Sequence, residues 1–190
     1  MPEIYEPAED SYLISKTLKE TTPNLLKQNP DINFLEIGSG SGILLETAKG
    51  LGIKKSHIFS SDINPDAVEH CKKLGFNCIY SDLFGSFKGR LSEGNRRCPR
   101  FDLIVFNPPY LPENRKEPKS SKLATTGGKL GSEIINKFLK QAKKHLNSGG
   151  KIYLLTSSLT KDIDWGNYHK KLLGKEKIFM EELFVWELTY

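Results

Sequence analysis

Four short segments carry the residues whose types and spacing could do chemistry. In Asn107-Pro-Pro-Tyr110, two prolines fix the backbone. The Asn107 side-chain oxygen and the Pro108 carbonyl are then two acceptors that can receive both N–H groups of a planar –NH2. Pro109 stiffens the turn, and Tyr110 can stack on the acceptor plane. An amide nitrogen is a poor nucleophile because its lone pair is delocalised. Holding it in line with an electrophile, and accepting from its N–H bonds as positive charge develops, is the help such a nitrogen needs.

The other three segments read as a binding site for the electrophile. Leu35-Glu-Ile-Gly-Ser-Gly-Ser-Gly42 places Gly38, Gly40 and Gly42 at a strand-to-helix junction, where the backbone must turn sharply and approach a ligand. The spacing differs from the G-x-G-x-x-G of a dinucleotide phosphate clamp. Glu36 is an acid in an apolar strand, costly to bury unless paired. Asp62 in Asp62-Ile63-Asn64-Pro65 follows Gly42 by 62 − 42 = 20 residues, the spacing at which an acid meets ribose hydroxyls. Ser81-Asp82-Leu83-Phe84 offers a third acid for an exocyclic amine, with backbone and apolar contact from Leu83. A pyrophosphate would be repelled by these acids, whereas a nucleoside carrying a positive sulfonium would be held.

The elements that must position these segments alternate. Apolar runs at 33–37, 57–61, 76–80, 101–106 and 151–155 read as strands. Helices are expected over 10–20, from Gly42 to about Gly50, over 65–74 and over 132–146. A last helix is expected over 164–173, followed by strands over 177–184 and 185–190. The expectation is a single α/β domain spanning 1–190, a Rossmann-like, doubly wound and mostly parallel sheet closed by a C-terminal antiparallel hairpin. Gly149-Gly150 reads as a break before the fifth strand. Residues 85–100, with Arg90, Arg96, Arg97 and Arg100, read as a basic loop, and 111–131 as a long loop.

Composition excludes other classes. Of 190 residues, 37% are hydrophobic and 27% charged, which argues for a globular chain. Lys plus Arg number 28 against 23 acids, a formal charge of +5 that leaves an acidic or nucleic-acid partner open. Cys71, Cys78 and Cys98 form no C-x-x-C pair, so a disulfide framework and a zinc site are not expected. The N-terminus has no apolar core of a signal peptide, and no apolar run reaches a membrane-spanning length. A cytoplasmic protein without a metal site is the expectation.

Taken together, these segments resemble the class I S-adenosylmethionine-dependent methyltransferases with an N-P-P-Y motif. The resemblance is closer to the HemK-like glutamine methyltransferases of peptide-chain release factors. Tyr5-Glu-Pro-Ala-Glu-Asp-Ser11 resembles the N-terminal signature of the archaeal and eukaryotic branch, and Thr126-Gly-Gly-Lys-Leu-Gly-Ser-Glu133 the family's later G-G-x-x-G-x-E segment. The resemblance covers nearly the whole chain. It implies S-adenosylmethionine contacts from Ser11, Glu36, Gly38, Asp62, Asp82, Leu83 and Asn107, beside Gly40, Gly42 and Ile63 of the same segments. It also implies an acceptor glutamine held by Asn107 to Tyr110, a class 1 release factor as substrate, and a small zinc-ribbon activator subunit paired with the edge strand Phe76 to Tyr80. In place of the acidic and aromatic residues frequent before the later Gly-Gly, this chain has Ala124, Thr125 and Thr126. Two other functions share these features: methylation of adenine N6 or guanine N2 in DNA or RNA, and a binding module that has lost turnover.

Overall fold

The computed structural model describes residues 4–87, 99–113 and 125–190. Seven strands form one sheet: β1 (Phe34–Ile37), β2 (Ile58–Asp62), β3 (Asn77–Tyr80), β4 (Phe101–Phe106), β5 (Leu146–Ser157), β6 (His169–Ile178) and β7 (Glu181–Thr189). Their order is β3-β2-β1-β4-β5-β7-β6. Strands β1 to β5 pair in parallel, while β7 runs against both β5 and β6. Strand β6 therefore points the same way as β5, and its far end lies at the carboxyl edge of the sheet.

Among the described residues, four helices cover the two faces: α1 (Glu9–Gln28), α2 (Ile43–Gly50), α3 (Pro65–Lys73) and α4 (Glu133–Ala142). The period of two along each strand sorts side chains between two cores. Phe34, Leu103, Val105, Tyr153 and Leu155 pack with Leu13, Ile14 and Leu18 of α1, Leu44 and Leu45 of α2, and Val68 of α3. Leu35, Ile104, Phe106, Ile152 and Leu154 pack with Ile135, Phe138 and Leu139 of α4. The 135, 138, 139, 142 spacing is a one-sided helical stripe, and all four residues are buried. Phe138 lies against Phe84 and Phe106 with ring centroids 5.5 and 4.7 Å away. Truncating it to alanine removes roughly 3–5 kcal/mol.

Several expected boundaries are corrected. Helix α1 runs on to Gln28 with Pro23 inside it, because Leu25 and Leu26 reach the core beyond the proline and tertiary packing outweighs the lost N–H. Strand β5 begins at Leu146, not Lys151. The Gly149-Gly150 pair lies within it, as an irregularity where five residues (151 − 146) span what two (103 − 101) span on β4. The helix expected over 164–173 does not form. The Gly166 N–H bonds back to Asp164 Oδ1 at 3.2 Å and Gly166 has φ +52°, so the chain turns there. It then enters β6, whose partner β7 satisfies its backbone from His169 to Ile178. The hairpin turn accordingly falls at Phe179-Met180 and not at 184–185. Of the basic loop, residues 85–87 form a short 3-10 turn, while 88–98, with Arg90, Arg96, Arg97 and Cys98, lie outside the described residues, as does Ala124. Cys71 and Cys78 are free thiols and buried. Among the described residues no helix is long and apolar enough to cross a membrane.

Candidate active site

The parallel strands β1, β2, β3 and β4 deliver their carboxyl ends to one cavity of about 290 Å³, where an open α/β sheet ordinarily receives its ligand. Gly38, Gly40 and Gly42 all have left-handed φ, at +74°, +46° and +80°, a conformation open to glycine at little cost. The loop is fastened to β2: Gly38 N–H donates to Ser61 O at 2.7 Å, and Gly40 N–H donates to Asp62 Oδ2 at 2.9 Å. The other Asp62 oxygen accepts from Asn64 N–H at 2.8 Å, and Asn64 caps α3 through Asp66 N–H.

Two acids sit deep in this pocket. Glu36 is 2% exposed, and its Oε2 has no hydrogen-bond partner among the described residues. Burial pushes its pKa well above the usual carboxylate range, with the Asp62 charge and Cys78 adding to the rise. Burial also raises Asp62, opposed by the hydrogen bonds from Asn64 and Gly40. A buried carboxylate with a free oxygen is costly on its own. It suits a ligand that brings hydroxyl donors and a positive charge, which is the chemistry a sulfonium nucleoside presents. Asp82 differs. Its exposed carboxylate pairs with Lys137 Nζ of α4 at 2.5 Å, so it is held in place but already has a cation. Leu83 follows with φ +50°, its carbonyl accepting from Ser81 Oγ at 2.9 Å.

The acceptor side is built mainly from backbone. Asn107, Pro108 and Pro109 line the cavity, and Asn107 Oδ1 is buried without a partner among the described residues. Behind them, Leu111 N–H donates to Thr125 O and Gly127 N–H to Leu111 O, both at 3.0 Å. A Cβ on Gly127 would lie 2.5 Å from Pro109 O, and one on Gly131 would overlap the Tyr110 carbonyl. The Gly-Gly-Lys-Leu-Gly segment is thus a buttress whose glycines let two backbones touch. Glu133 ties its far end by accepting from Leu130 N–H at 3.1 Å.

Ser11, Glu36, Gly38, Gly40, Asp62, Ile63, Asp82 and Leu83 all line the same cavity, whereas Gly42 and Tyr110 stand behind its wall. Gly42 is the N-cap of α2. Tyr110 reaches the site through Asp10, a buried acid that sequence reasoning left out. Asp10 Oδ2 accepts from Tyr5 Oη at 2.9 Å and, at the longer distance of 3.5 Å, from Tyr110 Oη. Its Oδ1 accepts from Ser11 N–H at 2.5 Å and Ser11 Oγ at 3.1 Å. Burial, reinforced by Asp10, drives both tyrosine hydroxyls far above their ordinary range, so both stay protonated donors. The available signal was an acid in the first turn of a helix directly before Ser11. Lys137, also missed, gave no local signal, since its partner lies 55 residues away.

Sheet order and the position of the cavity define a class I methyltransferase fold. Solved structures agree: the ribosomal protein L11 methylase of Lactobacillus delbrueckii subsp. bulgaricus superposes with a TM-score of 0.61 at 16% identity, over 99% of this chain and 82% of that one. The 16S rRNA N2 G1207 methyltransferase of Thermus thermophilus, solved with AdoMet and guanosine, gives 0.55 at 17% identity over 96% and 43%. The match to the methyltransferase small domain spans residues 15–165. A Methanocaldococcus jannaschii relative named for protein N5-glutamine methylation is 37% identical over 98% of this chain and 93% of its own. Methyltransferase HEMK2 of Homo sapiens is 31% identical over 81% and 72%. The chain belongs to the methyltransferase small domain family, among its HemK-like members.

Proposed function

We propose that this protein transfers the methyl group of S-adenosylmethionine to the side-chain amide nitrogen of a glutamine, the Gln of the Gly-Gly-Gln motif in a class 1 peptide-chain release factor. The observation that carries the reading is the buried Asn107 Oδ1 at the cavity wall, which has no partner among the described residues. An amide oxygen left without a donor costs about 1–3 kcal/mol, recovered when an –NH2 group enters. The names of relatives support this choice of acceptor: release factor glutamine methyltransferase in Aquifex aeolicus, 32% identical, and eRF1 methyltransferase catalytic subunit in Schizosaccharomyces pombe, 30% identical.

S-Adenosylmethionine supplies, when bound, a methyl group made electrophilic by its sulfonium. Asp62 and Glu36 receive the hydroxyls and balance the charge, Gly38 and Gly40 allow close approach, and Leu83 with Ile63 gives apolar contact. Asp82, steadied by Lys137, would meet a polar edge of the nucleoside, and Ser11 its charged tail. Asn107 Oδ1 and the Pro108 carbonyl accept the two N–H bonds of the acceptor, which fixes the plane and direction of its nitrogen lone pair. Pro109 holds that turn rigid, and Tyr110, anchored through Asp10, supports it from behind the wall. No base is needed before transfer, because the nitrogen would release its proton to water only after it has gained charge.

The reading includes a small zinc-ribbon activator subunit, forming a heterodimer along β3, and action in the cytoplasm. Strand β3 ends the sheet order, with Tyr80 exposed, and an open sheet edge is a template for strand addition. The test is transfer of labelled methyl to a release factor and to its Gly-Gly-Ala variant, with and without the zinc-ribbon protein and with nucleic acid as a parallel acceptor. Label on the Gln form alone establishes the acceptor. Label on nucleic acid alone overturns it.

A further inference from the structure

At the turn between β6 and β7, two large apolar side chains stand free of the fold: Phe179 is 94% exposed and Met180 95%. Phe179 also has φ +49°, a left-handed conformation that two-residue turns normally give to glycine or asparagine. A bulky residue there costs about 1–2 kcal/mol and gains no burial in return. Stability does not explain this pair of residues.

Position does. Because β6 runs parallel to β5, the turn sits at the carboxyl edge of the sheet, on the side of the acceptor pocket. Hydrogen bonds connect the two. Ser158 N–H donates to Glu182 O at 2.8 Å, Thr160 N–H to Ser157 O at 3.1 Å, and Thr160 Oγ1 to Tyr110 O at 2.9 Å. Glu181, next to the turn, has a buried Oε1 with no partner among the described residues. Its charge acts on both Tyr5 and Tyr110, so it lies near that pair of hydroxyls.

We infer that Phe179, Met180 and Glu181 form a docking turn for the acceptor protein. Phe179 and Met180 pack on an apolar surface beside the target glutamine, and the charge of the Glu181 carboxylate next to them attracts a cationic side chain of that protein. The inference rests on the protein-glutamine reading above. It adds that recognition extends past the tripeptide, to a folded acceptor rather than to a free loop.

The experiment compares the full chain with the double variant Phe179→Asn, Met180→Ser and with Glu181→Gln. Asparagine tolerates the left-handed backbone, so the double variant is expected to melt no lower than the unaltered protein. Methyl transfer is measured to an intact release factor and to a short Gly-Gly-Gln peptide. For the double variant, KM for the release factor is expected to rise on the order of tenfold, with kcat and the peptide KM within about twofold. Glu181→Gln is expected to raise KM for the release factor alone by a smaller factor. An unchanged KM for the release factor overturns the docking turn, and so does an equal loss on both acceptors. Unaltered protein that labels no release factor overturns the acceptor reading first, and the docking turn with it.

Discussion

The two halves of the cavity differ in kind, and the proposed function gives them opposite ways of meeting a ligand. The donor half concentrates unfavourable charge: Glu36 and Asp62 are buried side by side, both with pKa values raised by lost hydration. The acceptor half has a neutral clamp of Asn107 and Pro108, stiffened by a second stretch of backbone at Gly127 and Gly131. On that proposal the first would discriminate by charge and hydroxyl donors, and would tolerate small displacements because Coulomb energy varies slowly with distance. The second discriminates by direction, since hydrogen bonds and in-line attack fail within a fraction of an ångström. Damage to the donor half should therefore appear in affinity, and damage to the acceptor half in turnover.

The largest break in that contrast is expected from Asn107→Ala. Turnover falls on the order of a thousandfold, the loss typical of one preorganised polar group, while cofactor affinity from calorimetry stays within about tenfold. Undiminished turnover would remove Asn107 from the acceptor role. Next comes Gly131→Ala, which touches no ligand. Its Cβ must push against the Tyr110 carbonyl from a backbone at φ +81°, so kcat drops about a hundredfold with cofactor affinity unchanged. Equal losses in kcat and in cofactor affinity would show that the buttress serves both halves.

Glu36→Gln should divide stability from affinity. The Glu36 pKa is raised in the folded state, so the unfolded chain gives up this proton first, and apo stability from this group falls as pH rises from about 4.5 towards the folded value. Glutamine removes that slope. The apo variant gains about 1 kcal/mol near neutral pH, or roughly 2–4 °C in Tm, yet binds S-adenosylmethionine on the order of tenfold more weakly. In the unaltered protein a bound cation favours the ionised acid, so cofactor affinity rises with pH across the same range. A flat pH profile of affinity would show that Glu36 stays neutral in the complex. The smallest effect belongs to Lys137→Ala. It breaks an exposed ion pair with Asp82, worth about 0–1 kcal/mol, and should shift cofactor Kd by no more than about fivefold.

Legibility follows the range of the interactions involved. Glycine loop, Asp62 and Asn-Pro-Pro-Tyr could be read because each is contiguous and sits where a parallel strand ends, so topology brings them together. Asp10 could not be weighed properly, since its importance comes from Tyr110, 100 residues away. Strand β6 was masked by its own composition. Lys170, Lys171, Lys175 and Lys177 on an outer strand protect a sheet edge, and around Leu172 and Leu173 they imitate a helix with one apolar stripe. Only pairing with β7 decides between the two. Pro23 misled for the same reason: a local rule lost to contacts made by Leu25 and Leu26.

The close approach of α1 to β6 has a consequence for biosynthesis. A Cβ on Gly174 would lie 2.9 Å from Thr17 Oγ1 and 3.3 Å from Leu13 Cδ1, so the early helix docks on a strand made 174 − 17 = 157 residues later. At translation speeds of about 5–20 residues per second, that interval is roughly 8–30 s. Throughout it, Leu13 and Ile14 lack their partners Leu183 and Val185, and Tyr5 and Asp10 have no settled place beside Tyr110. Strand β1 gains its second neighbour only when β4 has been made, and the core beneath the glycine loop is complete only with Leu183 and Val185. The helix that carries Ser11 is thus among the first elements made and among the last to be fully packed.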